Sequence, residues 1–214
     1  MKKKDSKDVL DILETTYPDA ECELVHSNPF ELLLATVLSA QTTDKKVNQV
    51  TEKLFKKYKN PRDFANLRQE ELEVEIKEIG LYRNKAKNII ALCKMLIEEF
   101  HGEVPQSKEE LVKLPGVGRK TANVVVSNAF GVPAIAVDTH VFRVSNRIGM
   151  AHSDDVTETE EQLMKIIPKE RWTKAHHLLI FHGRRTCAAR KPNCDDCTIA
   201  SYCKYKATSD KQKK

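Results

Sequence analysis

Four of the six cysteines in this 214-residue chain, Cys187, Cys194, Cys197 and Cys203, crowd into 17 residues. Four thiolates this close can wrap one compact metal centre. The start, Met1-Lys2-Lys3-Lys4-Asp5-Ser6-Lys7-Asp8, has a charged head with no apolar segment behind it, so no secretory signal is expected. In such a chain a cysteine cluster points to metal rather than to disulfides. Zinc and an iron–sulfur cluster both fit four soft sulfur ligands. Structural zinc usually takes two CxxC pairs held apart by a longer loop. Here one CxxC exists, and its flanking cysteines stand six and five residues away. The wider corners of a [4Fe–4S] cubane suit that uneven spacing better. Cys22 and Cys93 sit alone in apolar-periodic stretches and read as small buried residues.

The basic charge gathers in the same third of the chain. Residues 165–214 hold 13 Lys and Arg against 4 Asp and Glu, whereas residues 1–164 hold 23 against 27. This asymmetry suggests a polyanionic partner. Arg184, Arg185, Arg190 and Lys191 are expected on the cysteine loop itself, where a metal staple would present cations to a phosphate chain. They could equally offset the negative thiolates.

The rest of the sequence has helical periodicity almost throughout. Hydrophobic residues make up 40% and charged residues 31%, which argues against disorder. Helices are expected at residues 8–15, 29–38, 43–58 and 83–101, the second capped by Asn28 with Pro29 in its first turn. The 29–38 segment is apolar nearly all round and reads as a central buried helix. Gly80, Gly102, Gly131, Gly149 and Gly183 are expected at helix ends. No strand alternation or fixed repeat is visible, which predicts an all-α protein of about ten short helices. Only the lysine-rich ends, 1–7 and about 204–214, read as disordered. No apolar run approaches the roughly 18 residues of a membrane span, and no membrane partner is expected. Without a long exposed apolar stripe, a monomer is expected.

The most informative stretch runs from Leu111 to Val126. A short helix ends at Leu114, Pro115-Gly116-Val117-Gly118 turns tightly, and a second helix starts at about Arg119. Glycines leave the backbone bare, so amides at the new helix's N-terminus can meet a phosphate oxygen. Lys120 stands on the first turn of that helix. A helix N-terminus disfavours a nearby positive charge, which favours a neutral, nucleophilic amine. Downstream, Phe130-Gly131-Val132-Pro133-Ala134-Ile135-Ala136-Val137-Asp138 links to another helix. Asp138 is its expected N-cap and, if it also faces a cleft, a catalytic carboxylate.

The Leu-Pro-Gly-Val-Gly-Arg-Lys hairpin, the Gly131/Pro133 linker ending at Asp138 and the four-cysteine tail together resemble the helix–hairpin–helix (HhH-GPD) DNA glycosylases, in particular their bifunctional, thymine-glycol type. The likeness spans about Asp8 to Cys203. It implies a two-lobed α fold: a six-helix barrel over 22–132, with the hairpin at about 108–127, and a discontinuous [4Fe–4S] lobe from 1–21 and 133–214. It implies double-stranded DNA containing damaged pyrimidines or abasic sites as the partner, bound across the cleft between the lobes. Pro115, Gly116, Val117, Gly118, Arg119, Arg184, Arg190 and Lys191 would contact DNA. Lys120 would attack the sugar, and Asp138 would stabilise the developing charge. Ser39-Ala40-Gln41-Thr42-Thr43-Asp44 and Ile79-Gly80-Leu81-Tyr82 resemble that family's DNA-probing loops. Gln41 would fill the space of a flipped nucleotide, and Leu81 would wedge into the stack. A cytoplasmic, nucleoid-associated protein is expected.

Two other readings stay open at this level. One is a non-catalytic DNA-binding protein, against which Lys120 with Asp138 argues. The other is a mismatch glycosylase of the same superfamily without lyase action. A zinc-bound transcription factor fails for want of a recognition helix followed by dimer features.

Overall fold

A computed structural model describes the backbone of residues 1–212 and the side chains through Ser209. Among the described residues all regular structure is helical. In chain order the α-helices are α1 (Lys3–Thr16), α2 (Pro29–Leu38), α3 (Asp44–Lys57), α4 (Pro61–Ala65), α5 (Gln69–Ile76), α6 (Tyr82–Phe100), α7 (Lys108–Leu111), α8 (Arg119–Ala129), α9 (Thr139–Ile148), α10 (Val156–Ile166), α11 (Trp172–Arg185) and α12 (Lys204–Gln212). Two single 3-10 turns flank α11, at Lys169–Arg171 and Ala200–Tyr202. None of these helices is long and apolar enough to cross a membrane.

The chain divides into two compact units: Cys22–Val132, and Met1–Glu21 joined by the chain from Pro133 onward. In the Cys22–Val132 unit, α2 is the central helix. Phe30 and every residue from Leu32 to Leu38 are buried, with α3, α6 and α8 packed around it. Asn28 caps it by accepting the Glu31 amide at 2.9 Å, and Pro29 opens its first turn. Leu32, Leu33, Leu34, Phe64, Leu72, Ile76 and Ile89 are all fully buried, and each contributes about 1.5–3 kcal/mol relative to an exposed position.

In the other unit, α9 lies along α11 with α1, α10 and α12 against them. Val9, Leu10 and Leu13 of α1 join Val141, Val144, Ile148, Leu178 and Leu179 in one core. The helix already starts at Lys3, and Ser6 is buried, which corrects the expectation of disorder over 1–7. The lysines of α1 cover its solvent side, Ser6 Oγ donates to Ile166 O at 3.1 Å, and the Met1 amine donates to Gly149 O at 2.9 Å. The C-terminal lysines are helical too, through Gln212; the expectation for 213–214 lies outside the described residues.

Gly183 corrects a second expectation. It sits inside α11 rather than at its end, where a Cβ would stand 3.0 Å from the Cβ of His140 on α9. Glycine there permits the close approach of the two helices. The other glycine ends follow expectation at Gly102 and Gly149, with φ of 85° and 89°.

Candidate functional site

The hairpin is built from short-range bonds. Ser107 caps α7 by accepting the Glu110 amide at 3.2 Å. α7 ends at Leu111, earlier than expected, and the chain continues in turns closed by the Leu114 amide to Leu111 O and the Val117 amide to Leu114 O, each 3.1 Å. Gly116 takes φ 78° with its Cα packed so closely that a Cβ would lie 3.0 Å from Asn88 Cβ. Gly118 is the N-cap of α8, has an ordinary φ of −94°, and offers no side chain to its amides. A Cβ at Gly118 would meet nothing within 4 Å. No side chain of the N-cap covers this helix start, the arrangement that suits an anion site.

Within this turn, the side chain of Val117 is buried and anchors the turn in the core beneath, so what it offers a partner is its backbone. Pro115 is half-buried, and Gly116, Gly118 and Arg119 are exposed. Lys120 is half-buried on the first turn of α8. Its charge reaches the half-buried Cys22, whose thiol is pushed up mainly by burial, while Asp44 adds to the rise and Lys120 opposes it.

Gln41 and Leu81 occupy neighbouring loops in the same unit. Both carry left-handed backbone, with φ of 55° and 59°. Gln41 is exposed, and Leu81 is exposed as the N-cap of α6. Beneath them lies Lys85 of α6, a buried lysine whose amine burial pushes below its ordinary value. Sequence periodicity gave no signal for it beyond its place on the apolar side of α6.

In the other unit, Asp138 caps α9 as expected, its Oδ1 accepting the Val141 amide at 2.7 Å. The carboxylate is half-buried. Its charge reaches His140, where burial is the larger influence and drives the imidazole below its ordinary value; Asp138 opposes this, and Arg143 and Arg184 assist it. Arg143 also donates from Nη2 to Gly183 O at 2.9 Å and Cys187 O at 3.1 Å. His140 thus feels both Asp138 and Arg143, and Arg143 ties the start of α9 to α11 and the cysteine loop.

No disulfide joins any of the six cysteines. Cys187, Cys194, Cys197 and Cys203 line one cavity with His182, Pro192 and Tyr205. The loop is clamped from outside: Arg147 donates to Ala188 O at 2.7 Å and Ala189 O at 2.9 Å, and the Asn193 amide donates to Thr186 O at 2.9 Å. Each of Cys197 and Cys203 is raised chiefly by burial, with further rise from its neighbouring thiols. Among the described residues no three His, Cys, Asp or Glu side chains converge on a single-ion position. The expectation that all four basic residues lie on this loop is corrected. Arg184 and Arg185 end α11, where a helix C-terminus favours cations, and Arg185 pairs with Asp19 at 2.6 Å. Arg190 and Lys191 are on the loop and exposed, Lys191 with φ 50°.

Residues 34–169 match the family model of the HhH-GPD superfamily base excision DNA repair proteins. The chain belongs to that superfamily. It is 59% identical over 204 residues to endonuclease III of Bacillus subtilis (strain 168), covering 95% of this chain and 93% of that protein. Against endonuclease III of Escherichia coli (strain K12) the identity is 49%, over 98% and 100% of the two chains. Its fold is similar to a chain solved in a non-covalent endonuclease III–DNA complex, with TM-score 0.94, 57% identity and 99% coverage of both. A trapped endonuclease III–DNA covalent intermediate matches with TM-score 0.94, 57% identity and coverage of 98% and 99%. Within the superfamily the chain is thus an endonuclease III-type enzyme, a bifunctional DNA glycosylase and abasic-site lyase of base excision repair.

Proposed function

We propose that this enzyme removes oxidised, ring-saturated pyrimidines from duplex DNA and then nicks the strand at the abasic site, with Lys120 as nucleophile. The observation that carries the reading is Lys120 itself: a half-buried lysine on the first turn of α8, directly after a glycine turn whose N-cap has no side chain to cover the helix start. Amides that hold the phosphate fix the neighbouring sugar, and positioning of that kind supplies much of a catalytic rate.

A base inside the duplex is out of reach, so the nucleotide is flipped out at a cost of a few kcal/mol. Damage that weakens stacking lowers this cost and adds selectivity. Gln41 fills the vacated space and hydrogen-bonds the orphaned base, while Leu81 enters the stack. The Lys120 lone pair attacks C1′, and the C1′–N bond breaks with its electrons leaving on the base, which takes up a proton. Asp138 offsets the positive charge growing on the sugar or accepts a proton from the attacking amine. Ring opening gives a Schiff base, which acidifies the C2′ protons. Loss of one of them expels the 3′ phosphate as the C3′–O bond breaks, and water then frees the amine.

The four cysteines fit a [4Fe–4S] cluster. The donors are all thiols, and they border one cavity. When bound, the cluster would supply a rigid crosslink that holds Arg190 and Lys191 toward the DNA backbone. The Cys22–Val132 unit is then the barrel lobe that carries the hairpin, and the other unit is the cluster lobe. DNA is the partner of a monomeric enzyme that works in the cytoplasm with the nucleoid.

The deciding experiment incubates the protein with a thymine-glycol duplex and borohydride. The wild type forms a covalent adduct, and Lys120→Ala forms none while still binding DNA. An adduct retained by Lys120→Ala overturns the assignment. Base release without nicking by the wild type would favour a monofunctional glycosylase.

A further inference from the structure

An unpaired ammonium is among the costliest groups to bury, yet Lys85 is 5% exposed inside the Cys22–Val132 unit. An ammonium has three protons to place, and three acceptors meet them. Lys85 Nζ donates to Leu38 O at 2.8 Å, to Ala40 O at 2.6 Å and to Thr42 Oγ1 at 3.4 Å. None of the three is a carboxylate. Leu38 ends α2, where the helix dipole presents negative charge, so the buried cation is compensated by neutral dipoles alone.

The same residue is bonded on its other side. Its amide donates to Leu81 O at 3.1 Å. The Lys85 side chain therefore holds the chain both before and after Gln41, through Ala40 and Thr42, and the helix it anchors there carries Leu81 at its N-cap through that ordinary backbone bond. The two loops touch elsewhere too: a Cβ on Gly80 would stand 3.3 Å from Gln41 O and 3.6 Å from Thr42 Oγ1. Gln41 and Leu81 share left-handed backbone, a conformation unfavourable for a residue with a Cβ that persists only where its surroundings impose it.

We propose that Lys85 is a positioning residue that locks Gln41 and Leu81 into one rigid duplex-opening element. This rests on the reading of those two residues as the ones that probe the base stack. Lys85 acts on how the duplex is opened and kept open, and leaves the chemistry at the sugar to Lys120.

The test compares two substrates, a thymine-glycol duplex and a single-stranded abasic oligonucleotide that has no stack or orphaned base to hold. On each, single-turnover rates are read for the wild type, Lys85→Met, Lys85→Arg, Gln41→Ala and Leu81→Ala. Lys85→Met keeps the buried stem and removes the three donors. Its loss on the duplex is expected to exceed its loss on the single strand by about tenfold to a hundredfold, the scale of a small misplacement. Lys85→Arg is expected to recover part of it. A 2-aminopurine opposite the lesion is expected to brighten less with Lys85→Met than with the wild type. Equal losses on both substrates overturn the proposal, since a general folding defect would produce them. Should Lys85→Met fail to fold, Thr42→Val removes one acceptor, and its losses on the two substrates decide the proposal in the same way. If Gln41→Ala and Leu81→Ala lose duplex activity selectively while Lys85→Met does not, the brace falls and the loop reading stands. If Gln41→Ala and Leu81→Ala show no selective loss, the loop reading falls and takes the brace with it.

Discussion

The amide of Val141 donates to Oδ1 of Asp138 at 2.7 Å, fastening the carboxylate to the first turn of α9. One oxygen is thereby committed to the backbone, and the group's charge stands at a helix N-terminus that favours it. Cap and charge can be separated by substitution. Asn caps as well as Asp, whereas Ala forfeits about 1 kcal/mol. Asp138→Asn is therefore expected to unfold within about 0.5 kcal/mol of the wild type while base release slows by about a hundredfold. Thermal unfolding and nicking assays on the same preparations check both halves; a wild-type rate would reduce Asp138 to a cap.

The two glycines of the hairpin are expected to respond differently to a methyl group. Gly116→Ala meets both left-handed backbone and Asn88 at 3.0 Å, and is expected to cost about 1–2 kcal/mol in denaturant unfolding. Gly118→Ala meets neither and is expected to fold normally. Its methyl still stands beside the amides of α8, so DNA affinity is expected to fall with little change in stability. Undiminished affinity would show that those amides do not meet a phosphate.

His177 on α11 is buried, and burial, aided by Lys174 and Arg184, drives its pKa down to about 4 from an ordinary value of 6.5. The unfolded chain takes up this proton below about 6.5, whereas the folded chain resists until about 4. The unfolded state thus holds more protons in that window, and stability falls as the pH falls through it, by up to about 3 kcal/mol. Denaturant unfolding at stepped pH is expected to show this slope, and His177→Gln is expected to flatten it. An unchanged slope in the variant would assign the acid sensitivity elsewhere.

Removing one thiol tests the cysteine cavity. Purified protein is expected to be brown and to carry iron and sulfide in equal amounts. Cys194→Ser is expected to lose most of both and to bind DNA more weakly through a loosened Arg190–Lys191 loop. A colourless wild type holding one zinc would contradict the cluster.

The features legible in the sequence were those settled within a few residues. Asn28 and Asp138 were recognisable as caps because a cap bonds an amide three positions on. The turn from Pro115 to Gly118 was legible because glycine alone takes φ 78° cheaply, and the helical period of the 29–38 segment is its own signature. The four clustered cysteines were legible as one set for the same local reason, and they line one cavity. Lys85 was not legible: its acceptors lie more than 40 residues back along the chain, and no pattern along α6 reveals which carbonyls wait beneath. Gly183 was misread because a glycine inside a helix has meaning only when His140 presses on it.

The sequence by itself determined that this chain is helical, where its hairpin turns and which cysteines form a set, because propensity, capping and backbone freedom act at short range. Only the tertiary structure decided that α1 begins within the lysine-rich N-terminus, since the buried Ser6 donates to Ile166 O and the Met1 amine donates to Gly149 O. It also decided that Val117 is buried and that a buried ammonium bonds the chain on both sides of Gln41. Burial and hydrogen bonding between distant segments are properties of the folded chain, and no local window contains them.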